Sequence, residues 1–171
     1  MPERRLKEAR YFLEQMKKPE IQADRLVFTY NLNAFLGASR SVMQYLYKRA
    51  GRVGKPEWYA QLAEKSVWCR RFRNIRNMIV HEGPFQPDAT HQITLQGDET
   101  DQVGVMKKCL QVIGGEVVDE LQSYSVEYHM TVEEEQLPVL DCCEAYVGEL
   151  AENIEKAEDK GIIPDFGDIE L

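Results

Sequence analysis

The chain has 171 residues, 43% of them hydrophobic and 29% charged, with 21 Lys+Arg against 29 Asp+Glu for a formal charge of −8. That balance excludes a disordered chain, and no run approaches the ~18 consecutive apolar residues of a spanning helix. At roughly 100–200 residues per domain, the expectation is one domain over residues 1–171, cytoplasmic because Met1-Pro2-Glu3-Arg4 leads into an amphipathic segment rather than a signal-type apolar core, and without a membrane partner.

In chain order, Leu6, Ala9, Phe12, Leu13 and Met16 recur at helical spacing and predict a first helix over 3–18. Phe28, Leu32, Phe35, Leu36, Ser39, Val42, Met43 and Leu46 form one continuous stripe and predict a longer helix over 20–49. Gly51, Gly54 and Pro56 punctuate the chain before a third helix over 56–81, whose apolar side carries Leu62, Trp68, Phe72, Ile75 and Ile79. His91 to Leu95 alternates like a short strand, and Tyr124 to Val132 like a second that pairs with it. Between them Val103, Met106, Leu110, Ile113, Val117 and Leu121 predict a helix over 103–121, interrupted by Gly114-Gly115. Pro138 opens a last helix with Leu140, Cys143, Val147, Leu150 and Ile154 as its stripe and Gly161 as its C-terminal stop, followed by a loose tail over 162–171. The expected fold is mainly α, an up-down bundle of four to five helices with a small two-stranded β insertion at about 88–132.

Charge is divided unevenly along the chain. Residues 1–81 hold 17 basic and 7 acidic side chains, a net +10, whereas residues 82–171 hold 4 and 22, a net −18. Such asymmetry fits a basic face meeting a polyanion, or two faces of opposite charge meeting each other. Cys69, Cys109, Cys142 and Cys143 form no C-x-x-C pair and read as reduced thiols. His81, His91 and His129 have no metal-ligand spacing, so neither a metal nor a cofactor is expected.

The segment from Lys65 to His81 concentrates the chemistry. On a helical wheel at about 100° per residue, Arg73, Asn77, Arg70, His81 and Asn74 share one arc, Phe72, Ile79, Trp68 and Ile75 occupy the opposite one, and Arg76 sits at a boundary. Arginines hold phosphate oxygens bidentately and stabilise the charge of a phosphoryl transition state. A histidine of near-neutral pKa moves the proton of a ribose hydroxyl or leaving oxygen, and Asn77 stands one turn earlier to orient its ring. Arg70, Arg73 and Asn74 are the candidate substrate-binding residues, and Arg76, Asn77 and His81 the candidate catalytic ones. Arg76 and His81 are about 140° apart on an ideal helix, so a site using both requires a distorted helix end or a second copy, which predicts a two-fold homodimer interface.

Arg76-Asn77-Met78-Ile79-Val80-His81 resembles the arginine, polar residue, spacer, histidine motif of the HEPN superfamily. The preceding segment, Phe28-x-x-Asn31-Leu32-Asn33-Ala34-Phe35-Leu36 and Ser39-Arg40-Ser41-Val42, is similar to the helix before that motif, and the resemblance covers roughly residues 20–84. It implies a small helical domain that dimerises with its motifs facing across a cleft, and a metal-independent endoribonuclease in which the histidine and arginine assist attack of the 2′-hydroxyl on the adjacent phosphate. It also implies RNA or a nucleotide as ligand and, as in toxin or defence members, a protein inhibitor or antitoxin as partner. Ser39 and Ser41 are the candidates for a polar partner on the preceding helix. Two other readings stay open: a non-catalytic HEPN-like module that binds nucleotide, RNA or protein, and a helical domain that self-assembles through its oppositely charged halves.

Overall fold

The computed structural model describes residues 1–82, 87–96, 102–116, 118, 119 and 121–164; for Arg76, residues 78–82 and residues 102–105 it describes the backbone alone. Among the described residues the chain forms seven helices and one three-stranded antiparallel sheet. The architecture is mainly helical with a small β element, as the periodicity predicts. No helix of the described residues is long and apolar enough to cross a membrane.

Helix α1 (Pro2–Met16) buries Leu6, Ala9, Leu13 and Met16, four positions at three- and four-residue steps. The second predicted helix, over 20–49, starts later than predicted, because Pro19 begins a separate short helix α2 (Pro19–Ala23). Asp24 then turns extended, and its carboxylate accepts from the amides of Leu26 at 3.0 Å and Val27 at 3.1 Å. That cap starts α3 (Arg25–Arg52), the spine of the molecule, which buries every residue of the predicted stripe from Phe28 to Leu46.

The predicted helix over 56–81 is two helices, α4 (Pro56–Lys65) and α5 (Val67–Glu82), broken at Ser66. Ser66 is extended and buried, and its hydroxyl accepts from Asn153 Nδ2 at 3.1 Å. Nothing in local propensity marks the break; a partner from the last helix makes it.

The sheet has the order β1 (Asp88–Leu95), β2 (Leu121–Val132), β3 (Glu135–Pro138), all antiparallel. The alternation predicts two strands, and β3 is the addition. The β2–β3 turn uses Glu133 and Glu134 at φ of 50° and 73°, both left-handed. Two-residue hairpins of this kind favour Asn-Gly or Asp-Gly, so a Glu-Glu turn carries no sequence signal. Arg71 of α5 secures it, donating from Nη2 at 2.7 Å and Nε at 3.1 Å to Glu133 while lying 5.0 Å over the Trp68 ring. The buried face of β2, Val126, Tyr128, Met130 and Val132, meets the helices, and Tyr128 stacks on Phe28 at 3.9 Å.

Helix α6 (Gln102–Ile113) stops well short of 121: Gly115 takes φ of +83°, the left-handed residue that ends a helix. Its predicted stripe is not a core stripe, since Met106, Leu110 and Ile113 are exposed and Val112 is the buried position. Val117 and the side chain of Val103 lie outside the described residues. Helix α7 (Val139–Asp159) buries Cys143, Val147, Leu150 and Ile154 as predicted and ends at Gly161, φ +61°. The expected loose tail over 162–171 needs correction at its start. Ile162 and Ile163 are core residues, and the Ile162 carbonyl accepts from Arg49 Nε at 3.3 Å. Residues 165–171 lie outside the described residues.

The core that positions α5 is aromatic. Phe72 stacks on Tyr146 of α7 with ring centres 4.5 Å apart, and Phe35 of α3 meets both edge-on at 6.2 and 6.3 Å. Such pairs add about 0.5–1.5 kcal/mol each beyond their buried area. Trp58, Tyr59 and Trp68 are half-buried against it.

Candidate functional site

The N-terminus of α5 is built by α7. Glu149 Oε2 accepts from the Cys69 backbone amide at 2.7 Å, satisfying one of the first-turn donors that the helix itself leaves free. Asn153 Nδ2, buried, donates to Ser66 Oγ and reaches Cys69 Sγ at 3.6 Å. With the Phe72–Tyr146 stack, these contacts set the rotation of α5, and so decide which of its side chains face α3.

Arg70, Arg73 and Asn77, one turn apart along α5, line a cleft of about 350 Å³ between α3, α4 and α5. Across it α3 contributes Arg40, Gln44 and Tyr47, α4 contributes Tyr59 and Ala63, and the floor is apolar. Three guanidiniums therefore share one concave surface, and none of its described lining residues is a carboxylate. Among the described residues none of the three takes an ion pair or a side-chain hydrogen bond. By contrast, the groove between α4 and α7 mixes Lys65, Lys156 and Lys160 with Glu149, Glu152 and Asp159, a self-neutralised surface.

Three titratable groups of the cleft are shifted, among them the Tyr146 hydroxyl, which burial pushes well above its ordinary value. Burial pushes the Tyr59 hydroxyl above its ordinary value, Cys69 and Tyr47 act in the same direction, and Arg73 opposes them. Burial also pushes the Cys69 thiol far up, reinforced by the charge of Glu149, so this sulfur stays protonated and is no nucleophile. Cys69, Cys109, Cys142 and Cys143 are all free. Among the described residues no three His, Cys, Asp or Glu side chains converge as metal ligands do.

The predicted substrate-binding residues divide. Arg70 and Arg73 come together in the cleft, joined by Asn77 from the predicted catalytic set, while Asn74 is exposed and outside the lining. The α5 backbone runs through positions 76 and 81, the latter one turn beyond Asn77; the side chains of Arg76 and His81 lie outside the described residues. The serines of α3 do not join the cleft: Ser39 is fully buried and Ser41 Oγ donates back to the Gly37 carbonyl at 2.8 Å. Nor do the strand histidines. His91 Nδ1 lies 2.9 Å from Tyr124 Oη across the β1–β2 pair, and His129 Nε2 lies 3.4 Å from Glu127.

Arg40, Gln44, Tyr47 and Tyr59 are the residues that the motif-centred reading missed. The first three do carry a signal, recurring at i, i+4 and i+7 along α3 on the flank beside Leu36 and Met43 of its buried stripe. Which other helix that side faces is not written in the spacing. No family model, no curated protein and no solved structure matches this chain, so the site is read from its own residues.

Proposed function

We propose that the protein is a HEPN-like, metal-independent endoribonuclease whose RNA lies in the α3–α5 cleft and whose reacting groups are Arg76 and His81 at the end of α5. The observation that carries this reading is the group of guanidiniums, Arg40, Arg70 and Arg73, that share one cleft and take neither an ion-pair partner nor a neighbouring carboxylate among the described residues. Like charges brought together without partners repel one another, and an anionic ligand turns that repulsion into attraction. Phosphates suit the arrangement, because a guanidinium donates two parallel hydrogen bonds to a phosphate.

The chemistry needs little more from this chain. His81 takes the proton of the 2′-hydroxyl as its oxygen attacks the adjacent phosphorus, or returns a proton to the departing 5′-oxygen. Arg76 meets the charge that accumulates on the phosphoryl oxygens. With the two residues about 140° apart on one helix, the partner copy supplies one of them, and a two-fold homodimer completes the site. RNA and a second copy of the chain are the partners of this reading.

The test is incubation of the purified protein with single-stranded RNA in EDTA, with light scattering for the dimer. Wild type is expected to cleave, and Arg76→Ala and His81→Ala each to lose about 10²–10⁴-fold in rate. Arg40→Ala and Arg73→Ala are expected to weaken binding and to lower the log–log salt slope by about 0.7 for each phosphate that is no longer neutralised. Cleavage that survives His81→Ala, or a monomer at micromolar concentration, overturns the mechanism. The cleft also favours a second reading, since Arg40, Arg70 and Arg73 by themselves give it a basic lining that suits an anionic ligand. Steeply salt-dependent binding with no cleavage by wild type identifies a non-catalytic nucleic-acid-binding module.

A further inference from the structure

The α3–α5 cleft contains more than phosphate contacts require. Below the rim of arginines its floor is apolar, made by Leu36, Met43, Phe72 and Tyr146, each less than 9% exposed. One wall is aromatic: Tyr47 and Tyr59 stand edge to face, ring centres 5.3 Å apart at 62°. Tyr47 is 59% exposed although its ring borders the cavity. A strand held only by its backbone lies on a flat basic surface; it has no use for an apolar recess with a tyrosine at its lip.

We propose that the cleft takes a single unpaired nucleotide of an RNA strand, its base inserted against Tyr47 over the apolar floor and its phosphates on Arg40, Arg70 and Arg73. This rests on the nucleic-acid reading of the same site and names the class of substrate. The volume, about 350 Å³, is at the small end of the roughly 300–1,000 Å³ of small-molecule pockets. That is room for one base and its sugar and far too little for a helix. A duplex keeps its bases stacked inside and presents phosphates and hydroxyls, so it would leave the floor facing water. An unpaired base brings an apolar face to an apolar floor, and nothing has to be unstacked first. Charge complementarity at the rim selects a nucleotide over an uncharged aromatic ligand.

The test is fluorescence anisotropy of the full chain with a labelled single strand of 2′-O-methyl RNA, which has no free 2′-hydroxyl to attack. The same sequence as a duplex and a free mononucleotide serve as competitors. The strand is expected to bind more tightly than either. Tyr47→Ala should weaken it by about 5- to 150-fold, the range found for removing one base-stacking ring, with the salt slope unchanged because no charge is removed. Tyr47→Phe keeps the ring and should bind as wild type. Ala63→Phe fills the cavity from α4 and should weaken the strand while leaving charge untouched; Tyr47, being exposed, gives a variant that folds in any case. Equal binding of duplex and strand, unchanged affinity in Tyr47→Ala, or a mononucleotide that binds more tightly than the strand overturns the inference. Strand binding that depends on the arginines but not on Tyr47 overturns it alone; no binding of either form at low salt overturns the nucleic-acid reading as well.

Discussion

Replacing Glu149 tests whether α5 is held by its neighbour rather than by its own sequence. Glu149→Ala removes the acceptor 2.7 Å from the Cys69 amide and the negative charge beside the start of α5. A hydrogen bond to a charged group contributes about 1.5–3 kcal/mol, and a carboxylate near a helix N-terminus about 0.3–1 kcal/mol. Glu149 is half-buried, so water partly replaces it once it is gone, and the loss belongs at the low end, about 1.5–2 kcal/mol. For a chain of this size that is a fall in Tm of about 3–8 °C. Glu149→Gln keeps an acceptor and gives up only the charge, so it should lose less than half as much. The assay is urea unfolding followed by far-ultraviolet circular dichroism. An unfolding midpoint for Glu149→Ala equal to that of wild type would refute the cap, and Glu149→Gln as unstable as Glu149→Ala would show that charge, not the hydrogen bond, holds the helix.

Two further outcomes concern the thiols. Burial pushes the Cys142 thiol up to about 11 from an ordinary 9.0, and it pushes the Cys69 and Cys143 thiols up as well. The folded state therefore keeps protons that the unfolded chain releases, so the thiols' contribution to stability is level below about pH 9 and falls as pH rises from there through about 11. A urea midpoint at about pH 10 as high as that at about pH 8 would contradict this. Cys109 is half-buried while the other three are buried, so a thiol-specific chromogenic reagent should label one cysteine quickly and three only on unfolding. Fast labelling that survives Cys109→Ser would locate the accessible thiol elsewhere.

How much of the fold is legible in the sequence depends on whether its signal is local. The stripes of α1, α3 and α7 are buried as their spacing predicts except for Phe12 and Leu140, which are half-buried at the edge of the core, because each of these helices turns a single apolar face to one core. The stripe of α6 obeys the same periodicity and lies at the surface, since periodicity orders side chains on a helix without saying whether anything covers them. The third strand has no local signal because its turn is built from Glu133 and Glu134, held by Arg71 from a distant helix.

By itself the sequence determined a mainly helical chain, a basic first half, and a row of Arg70, Arg73 and Asn77 on the face of α5 away from its apolar side. Tertiary structure alone decided that the row faces Arg40, Gln44 and Tyr47 of α3, that Asn74 is left out, and that Ser66 divides the predicted helix over 56–81 into α4 and α5. The physical reason is the difference in range. Helical spacing and caps act over four residues, whereas the rotation of α5 is set by Glu149, Asn153 and Tyr146, about 70 to 90 positions further along the chain, through contacts that no local pattern encodes.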